Sequence, residues 1–220
     1  MKKILFMLSA AMLTVSSVFT SCDEHFDFPD TSMKVGDILC TDGDVLHPDI
    51  FEKSGKEAIG VVFYLNNDAD VEGTGYAVYL YDLDPAAMSD TCGLSQKTSG
   101  DLEALDGNLN TYALMNGQKA GSPLASAVFD LWRYGQSAYV PSVAQLRLLF
   151  ASKLAINPML QRFGGDLLPD DANECWYWSS TEVDGQSDQK AWLFSMQSGT
   201  IQETPKIQEH KSRPIITINH

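Results

Sequence analysis

The sequence predicts an α+β domain, in which strands and two or three helices are followed by an antiparallel β meander. In the first supporting run, residues 176–182 (Trp-Tyr-Trp-Ser-Ser-Thr-Glu), large apolar and small polar residues alternate as in a half-buried strand. A turn sequence rich in Asp and Gly, at 184–188, separates this run from a second predicted strand at 191–196. Apolar residues at helical spacing between 122 and 163 predict the helices, and residues 212–218 predict a closing strand.

The length and net charge of the chain limit the classes of protein to which it can belong. The chain has 220 residues, of which 44% are hydrophobic, enough for one sizeable core with appendages. Its formal net charge is -14, and two of its 15 basic residues, Lys2 and Lys3, belong to a predicted signal sequence. The rest of the chain therefore has 13 basic and 29 acidic residues. Such a surface repels nucleic acid and anionic lipid, so no nucleic-acid partner is expected.

The first 21 residues have the features of a targeting segment rather than of a folded domain. Lys2 and Lys3 precede an apolar stretch that is too short for a stable membrane span. The segment ends in Val-Phe-Thr-Ser-Cys, which resembles a lipobox and predicts lipid attachment at Cys22. Residues 22–33 then form a tether to the outer membrane or cell surface. The alternative is an ordinary secretory signal followed by a chance cysteine.

Three segments in the first part of the remaining chain predict strands, at 35–40, 58–65 and 76–82. The second is continuously β-branched and aromatic, which predicts a fully buried strand. A polar loop joins it to the third, so these two strands form a hairpin. Residues 85–100 are polar and irregular, and no element is expected there.

Two helix starts can be identified from capping sequences. Ser122 can cap a helix that has Pro123 at its first position, and Ser142 after Pro141 can cap the next one. The apolar face of the first helix consists of Ala125, Val128, Phe129 and Trp132. The buried face predicted after Ser142 consists of Val143, Leu146, Leu149, Phe150 and Leu154, and continues in Ile156, Met159, Leu160 and Phe163. Gly164-Gly165 ends the helical pattern.

Four segments in this order resemble a C-type-lectin-like domain of bacterial surface proteins. They are Asp-Gly-Asn-Leu-Asn-Thr at 106–111, the Tyr-Val-Pro-Ser segment at 138–146, Ile-Asn with Gly-Gly at 156–165, and Trp-Ser-Ser-Thr-Glu with the later Ala-Trp, Ser-Gly and Arg-Pro at 178–214. The family includes the variable proteins diversified by retroelements, and it is a distant fold relative of the formylglycine-generating sulfatase-modifying enzymes. Gln145 stands where the family usually has Glu. The resemblance implies one C-type-lectin-like domain over residues 34–220.

A fold of this kind binds ligands with loops and strand faces at one end of the meander. The residues that the resemblance assigns to such a surface are Glu182, Asp184, Gln186, Ser187, Asp188, Gln189 and Gln202, with Gln197 and Glu203 on later turns. Hydrogen-bonding side chains on a rigid sheet suit recognition of a glycan or a protein. The alternative is that they are solvent-facing hairpin residues with no ligand.

Three other features have a structural and a functional interpretation. Trp176, Trp178 and Trp192 can stack on a sugar, but their alternation with other residues favours a place in the core. The carboxylates at 169–174 can coordinate calcium, but a solvated acidic loop is the favoured interpretation, and no metal or cofactor is predicted. Arg213, before Pro214, is expected to make a structural ion pair or to bind backbone carbonyls.

The cysteines argue against an enzyme. Beyond Cys22 there are three, Cys40, Cys92 and Cys175, so at most one disulfide can form, and a Cys40–Cys92 bond stays open. No CxxC pair is present, and Cys175 lies beside a tryptophan of a predicted core strand. We therefore expect a non-enzymatic cell-envelope lipoprotein with a ligand-binding surface. The alternatives are a structural subunit of a surface fibre or envelope complex and, less favoured, a sulfatase-modifying type of enzyme.

Overall fold

Two β-sheets and four helices make up the part of the chain that the computed structural model describes, residues 32–68, 73–117, 120–129, 131 and 138–219. The first sheet has the spatial order β2 (Val45–Leu46), β1 (Ile38–Cys40), β3 (Ala58–Leu65), β4 (Gly75–Tyr79), β11 (Ile215–Ile218) and β6 (Ala138–Tyr139). The second has the order β5 (Leu83–Ala87), β10 (Glu209–Ser212), β7 (Trp176–Glu182), β8 (Lys190–Ser195) and β9 (Ile201–Pro205). The helices are α1 (Pro48–Ser54), α2 (Gly107–Met115), α3 (Pro123–Phe129) and α4 (Val143–Arg162).

The α+β class is confirmed, but the meander is shorter than predicted. Strands β7, β8 and β9 are joined by hairpins and pair antiparallel in sequence order. The segment 212–218 is not one strand, because the chain changes sheet at Arg213-Pro214. Before this point β10 lies beside β7 in a parallel pair, and after it β11 lies between β4 and β6 of the first sheet. Pro214 has no N–H to donate to a ladder, which suits the position between two strands.

Strand β7 buries both of its faces in two different parts of the core. Tyr177 packs in one apolar cluster with residues of β3, β4 and α4, and Trp178 packs in the other with residues of β3, α3 and β11. Neighbouring side chains of a strand point to opposite faces, so the two aromatic rings separate the two clusters. The Trp178 Nε1 donates to the Ala86 carbonyl over 3.1 Å. Trp178 is thus a core residue, while Trp176 and Trp192 are half-buried at the edges of the clusters.

Helix α4 is continuous from residue 143 to 162, with Pro158 inside it. Ser142 Oγ accepts from the Gln145 N–H over 3.3 Å, and Gln145 Oε1 accepts from the Ser142 N–H over 3.0 Å, so Gln145 completes a capping box. The helix ends at Arg162, two residues before Gly164, which has a left-handed φ of 75°, and the Gly165 N–H donates to the Leu160 carbonyl.

One prediction for the buried face of α4 is wrong. Leu154 is 88% exposed, and the neighbouring Lys153 is buried instead. The Lys153 Nζ donates to the carbonyls of Pro169 and Met196 and pairs with Asp170. Because all three N–H donors of the ammonium group have partners, Lys153 can be buried at this position of the helix.

Other expectations differ in detail. In α3 the Ser122 cap is confirmed by a 3.1 Å bond from the Ala125 N–H, but Phe129 is exposed. Strand β5 extends into the segment expected to be irregular, and its Pro85 is tolerated because β5 is an edge strand. Helices α1 and α2 were not predicted, and the segment 106–111 lies largely inside α2.

The described residues from Met33 onward form one compact unit. The predicted signal peptide (1–21), Cys22, most of the tether (22–33) and Trp132 lie outside the described residues. In the part that is described, no helix combines the length and apolar content that crossing a bilayer requires.

Candidate functional site

The loop between β7 and β8 contains most of the residues predicted to bind a ligand. The Val183 N–H donates to the Lys190 carbonyl over 3.0 Å and closes the loop at its base. At its tip, Gly185 has a φ of 73°, a conformation that favours glycine. The side chains of Asp184 and Gln189 are exposed, and those of Gln186, Ser187 and Asp188 are half-buried.

The remaining predicted residues lie on β9 and at the other end of the hairpin. Gln186 Nε2 donates to Glu203 Oε2 over 3.4 Å, and the Lys190 Nζ approaches the same oxygen to 3.0 Å, so Glu203 belongs with the loop. Gln202 is exposed but pairs with Leu193 in the middle of β8, and it points to the opposite face from Glu203. Gln197 is exposed in the β8–β9 turn, at the far end of the meander.

Glu182 does not belong to this surface. Its side chain is 1% exposed, and its Oε1 accepts from the Lys206 Nζ over 2.7 Å. The same oxygen accepts from the Gln96 N–H over 3.0 Å, and Oε2 accepts from Ser95 Oγ over 3.1 Å. Glu182 is the last residue of a strand that is buried on both faces, so its carboxylate lies beneath the loop and out of reach of a ligand.

Lys206 is the partner that the sequence did not reveal. Its Nζ also donates to the carbonyls of Leu94, over 3.0 Å, and Ser187, over 2.8 Å. All three donors of the ammonium group are therefore used, in a site without solvent exposure. Through Lys206 and Glu182, the segment 94–96 and the β7–β8 loop are held to each other. A further backbone bond, from the Gly93 N–H to the Asp188 carbonyl over 2.8 Å, joins the same two segments.

The acidic segment 169–174 does not gather its carboxylates. Asp170 pairs with Lys153, and Glu174 pairs with Lys211 over 2.6 Å. Asp171 accepts from the Asn173 N–H within the segment. Across the described residues, no group of three or more His, Cys, Asp and Glu side chains is placed to hold a metal ion.

Arg213 has the structural contacts that the sequence predicted. Its Nε donates to Asp82 Oδ1 over 2.6 Å, and its terminal nitrogens donate to the carbonyls of Tyr79, Leu80 and Asp166. The Tyr177 hydroxyl donates to the other oxygen of Asp82 over 2.9 Å. Burial, with the nearby charge of Asp82, raises the pKa of Tyr177 above its ordinary value.

The three described cysteines are all free thiols, so Cys40 and Cys92 are not bonded. Cys40 and Cys175 are buried, and Cys92 is exposed. Burial raises the pKa of the Cys40 thiol to about 11, which disfavours the reactive thiolate. Cys175 Sγ accepts from Ser195 Oγ over 3.3 Å in the core.

Known proteins resemble this chain in three-dimensional structure but not in sequence. No family model matches the chain, and no curated protein is significantly similar in sequence. The fold is similar to that of a fimbrial protein from Bacteroides ovatus ATCC 8483, known from a crystal structure, with a TM-score of 0.66 and 18% sequence identity. The similarity covers 84% of this chain and 49% of the fimbrial protein, so this chain spans about half the length of that protein.

Proposed function

We propose that this chain is a lipid-anchored structural subunit of a surface fibre or a related cell-envelope assembly. The observation that carries the proposal is the similarity in fold to a fimbrial protein over 84% of the chain. The lipobox-like sequence before Cys22 supports a location at the outer membrane or cell surface. A subunit of this kind binds neighbouring subunits and needs no catalytic residues.

An exposed apolar stripe on α2 is the surface that we assign to contact with a neighbouring subunit. Leu109 is 70% exposed, Tyr112 is 69% exposed and Met115 is 38% exposed. Their spacing of three residues places them on one side of the helix. Apolar side chains that are grouped on a surface, rather than scattered, are typical of protein–protein contacts.

The test compares assembly in cells that produce the full chain with and without this stripe. We expect the wild-type protein to be found in fibres or high-mass envelope complexes, by immuno-electron microscopy and by native mass after mild extraction. The double variant Leu109→Ser/Tyr112→Ser should reach the surface in equal amount but assemble poorly. Leu154→Ser is the matched control, since it removes from α4 a leucine that is even more exposed than Leu109. A wild-type protein that is monomeric in the envelope would overturn the proposal, and unchanged assembly of the double variant would overturn the role of the stripe.

The anchor is tested separately. Incorporation of labelled palmitate into the wild-type chain, and its loss in Cys22→Ala, is the result expected of a lipoprotein. Equal labelling of both chains, or none in either, would contradict lipidation at Cys22.

A second candidate function is ligand recognition by a C-type-lectin-like face. It is favoured by the anchoring of the β7–β8 loop, where Lys206 holds the Ser187 carbonyl and Gly93 holds the Asp188 carbonyl. A loop fixed in this way presents its side chains with little entropy left to lose on binding. The face comprises Asp184, Gln186, Ser187, Asp188 and Gln189, with Glu203 beside them, and it excludes Gln202, which points to the opposite side of β9.

This function is tested by screening the full chain against glycans and host-surface proteins, with calcium and with a chelator. The triple variant Asp184→Ala/Gln186→Ala/Asp188→Ala should lose binding and keep its melting temperature. Glu182 is left unchanged because it is buried. Ligand binding that survives the three substitutions would place the recognition surface elsewhere.

A further inference from the structure

A cleft separates the segment before α2 from the C-terminal end of that helix. Its volume is about 520 Å³, within the range of small-molecule sites. One wall is formed by Ser95, Gln96 and Lys97, and the other by Ala113, Asn116 and Ala120. None of these residues belongs to the apolar stripe or to the β7–β8 loop.

The backbone at Lys97 has an unusual conformation. Its φ is 62°, and it is the one non-glycine residue with a positive φ among those described. The cause lies beneath it, because the buried Glu182 carboxylate accepts from both the Ser95 hydroxyl and the Gln96 N–H. Ser95 Oγ then accepts from the Lys97 N–H over 3.1 Å, which closes a tight turn. Strained conformations persist where the surroundings impose them, and they are concentrated at binding sites.

The turn places a positive charge at the cleft. Among the described residues that line it, Lys97 is the one charged side chain. The nearest buried charge, that of Glu182, is matched by Lys206 at 2.7 Å. The cleft is therefore locally cationic in a protein whose net charge is -14, a contrast that favours a ligand with a negative group.

Gln96 supplies a second polar group. Its side chain is buried, and Oε1 has no hydrogen-bond partner within the described part of the chain. Its Nε2 bond to the Gly121 carbonyl is long, at 3.4 Å. A buried acceptor without a donor is unfavourable, and a weakly held amide can turn towards a donor that enters the cleft. A ligand hydroxyl meets this requirement.

From these groups, the geometry points to a binding site for an acidic sugar unit in this cleft. The sugar carboxylate pairs with Lys97, and its hydroxyls bond to Gln96 and to the side-chain oxygen of Asn116, whose Nδ2 donates to the Tyr112 carbonyl over 2.8 Å. Its C–H face lies against Ala113 and Ala120. This site shares no residue with the assembly surface or with the β7–β8 loop, although Lys206 holds the segment 94–96 to that loop.

The experiment is a ligand-observed NMR titration of the full chain in detergent, with glucuronic acid as the probe and glucose as the neutral comparison. Saturable binding of glucuronic acid is expected, weaker at high salt because the charge pair is exposed. Lys97→Gln should weaken this binding by roughly tenfold or more, since a hydrogen bond to a charged group is lost. Lys53→Gln, which removes an exposed lysine on α1, should leave it unchanged. Ala113→Leu should abolish binding by filling the cleft.

Three results would each overturn the inference: no saturable binding at millimolar probe, equal binding of glucose, or equal binding by Lys97→Gln and wild type. Fibre assembly by Lys97→Gln is measured in parallel and should be normal. Failure of the sugar site and failure of the assembly proposal are thus distinguishable.

Discussion

Arg213 and Lys206 are both buried cations, and each binds one carboxylate together with backbone carbonyls. The carbonyls bound by Arg213 belong to the end of β4 and to the segment after α4, next to the point where the chain passes from one sheet to the other. Those bound by Lys206 belong to two surface loops, at Leu94 and Ser187. The same chemistry therefore stabilises the joined sheets in one place and the surface loops in the other. The position of the partner carbonyls, rather than the type of charge, separates the two roles.

The largest effect is expected at Arg213. Arg213→Met leaves Asp82 without its closest cation and three carbonyls without a donor, so the free energy of unfolding should fall by about 5 kcal/mol. Arg213→Lys keeps the charge but not the planar fork, and its loss should be smaller. Urea denaturation measures both. A fall of less than about 1 kcal/mol for Arg213→Met would remove the distinction between the two cations.

At Glu182 we expect a smaller loss of stability, confined to the surface loops that Lys206 holds. Glu182→Gln leaves the Lys206 charge buried and unpaired, which should cost about 3 kcal/mol of stability. Limited proteolysis should cut first within 91–97 and 184–189, while the strands stay protected. If the strands lose protection together with these loops, Lys206 serves the whole fold as Arg213 does. Lys206→Met is the reciprocal variant, and the double variant should be strongly non-additive.

His210 makes the stability of the fold depend on pH. It lies on β10 with its ring edge-to-face on Trp178, 5.4 Å between centroids, and burial lowers its pKa. A folded pKa below the unfolded one means that the unfolded chain binds more protons, so stability present above about pH 6.5 is lost as the pH falls. The loss between pH 7.5 and 5.5 should be smaller in His210→Gln than in wild type. Equal losses in urea titrations of the two proteins would contradict the assignment.

The smallest effect is expected at the exposed loop. Asp184→Ala and Gln202→Ala should change the free energy of unfolding by no more than about 0.5 kcal/mol, because neither side chain is buried. Thermal melts of both variants and of Glu182→Gln compare the stability contributed by the exposed loop with that contributed by the buried Glu182 beneath it. A loss above about 1 kcal/mol at Asp184 would show that the tip also stabilises the fold.

Local sequence patterns predicted much of the fold. The run 176–182 is the strand that its alternation indicated, and Ser142 with Gln145 begins α4 because a capping box needs only residues three apart. The role of Arg213 was also predicted, as a structural contact. The strand and the capping box depend on neighbours in sequence, so the sequence contains them. Arg213 was predicted from the resemblance of its Arg-Pro pair to that of the family, since its partner Asp82 lies 131 residues away.

The features that the sequence did not predict depend on contacts between residues that are distant in sequence. Glu182 was assigned to a surface because it ends a strand at a polar turn, and its burial follows from Lys206 and from the segment 94–96. Neither partner can be identified without the tertiary structure. The same limit explains Lys153 and Leu154, since the carbonyls that satisfy the lysine come from loops after α4.

The crossing at Arg213-Pro214 also determines when the domain can finish folding. Residues 209–218 supply an internal strand to each sheet, β10 between β5 and β7, and β11 between β4 and β6. Strands that are distant in sequence must therefore wait for the last of them to leave the ribosome, and such non-local pairings close slowly. Neither sheet can therefore be completed until nearly the whole chain has been synthesised, and the last residues to be made are those that join the two sheets.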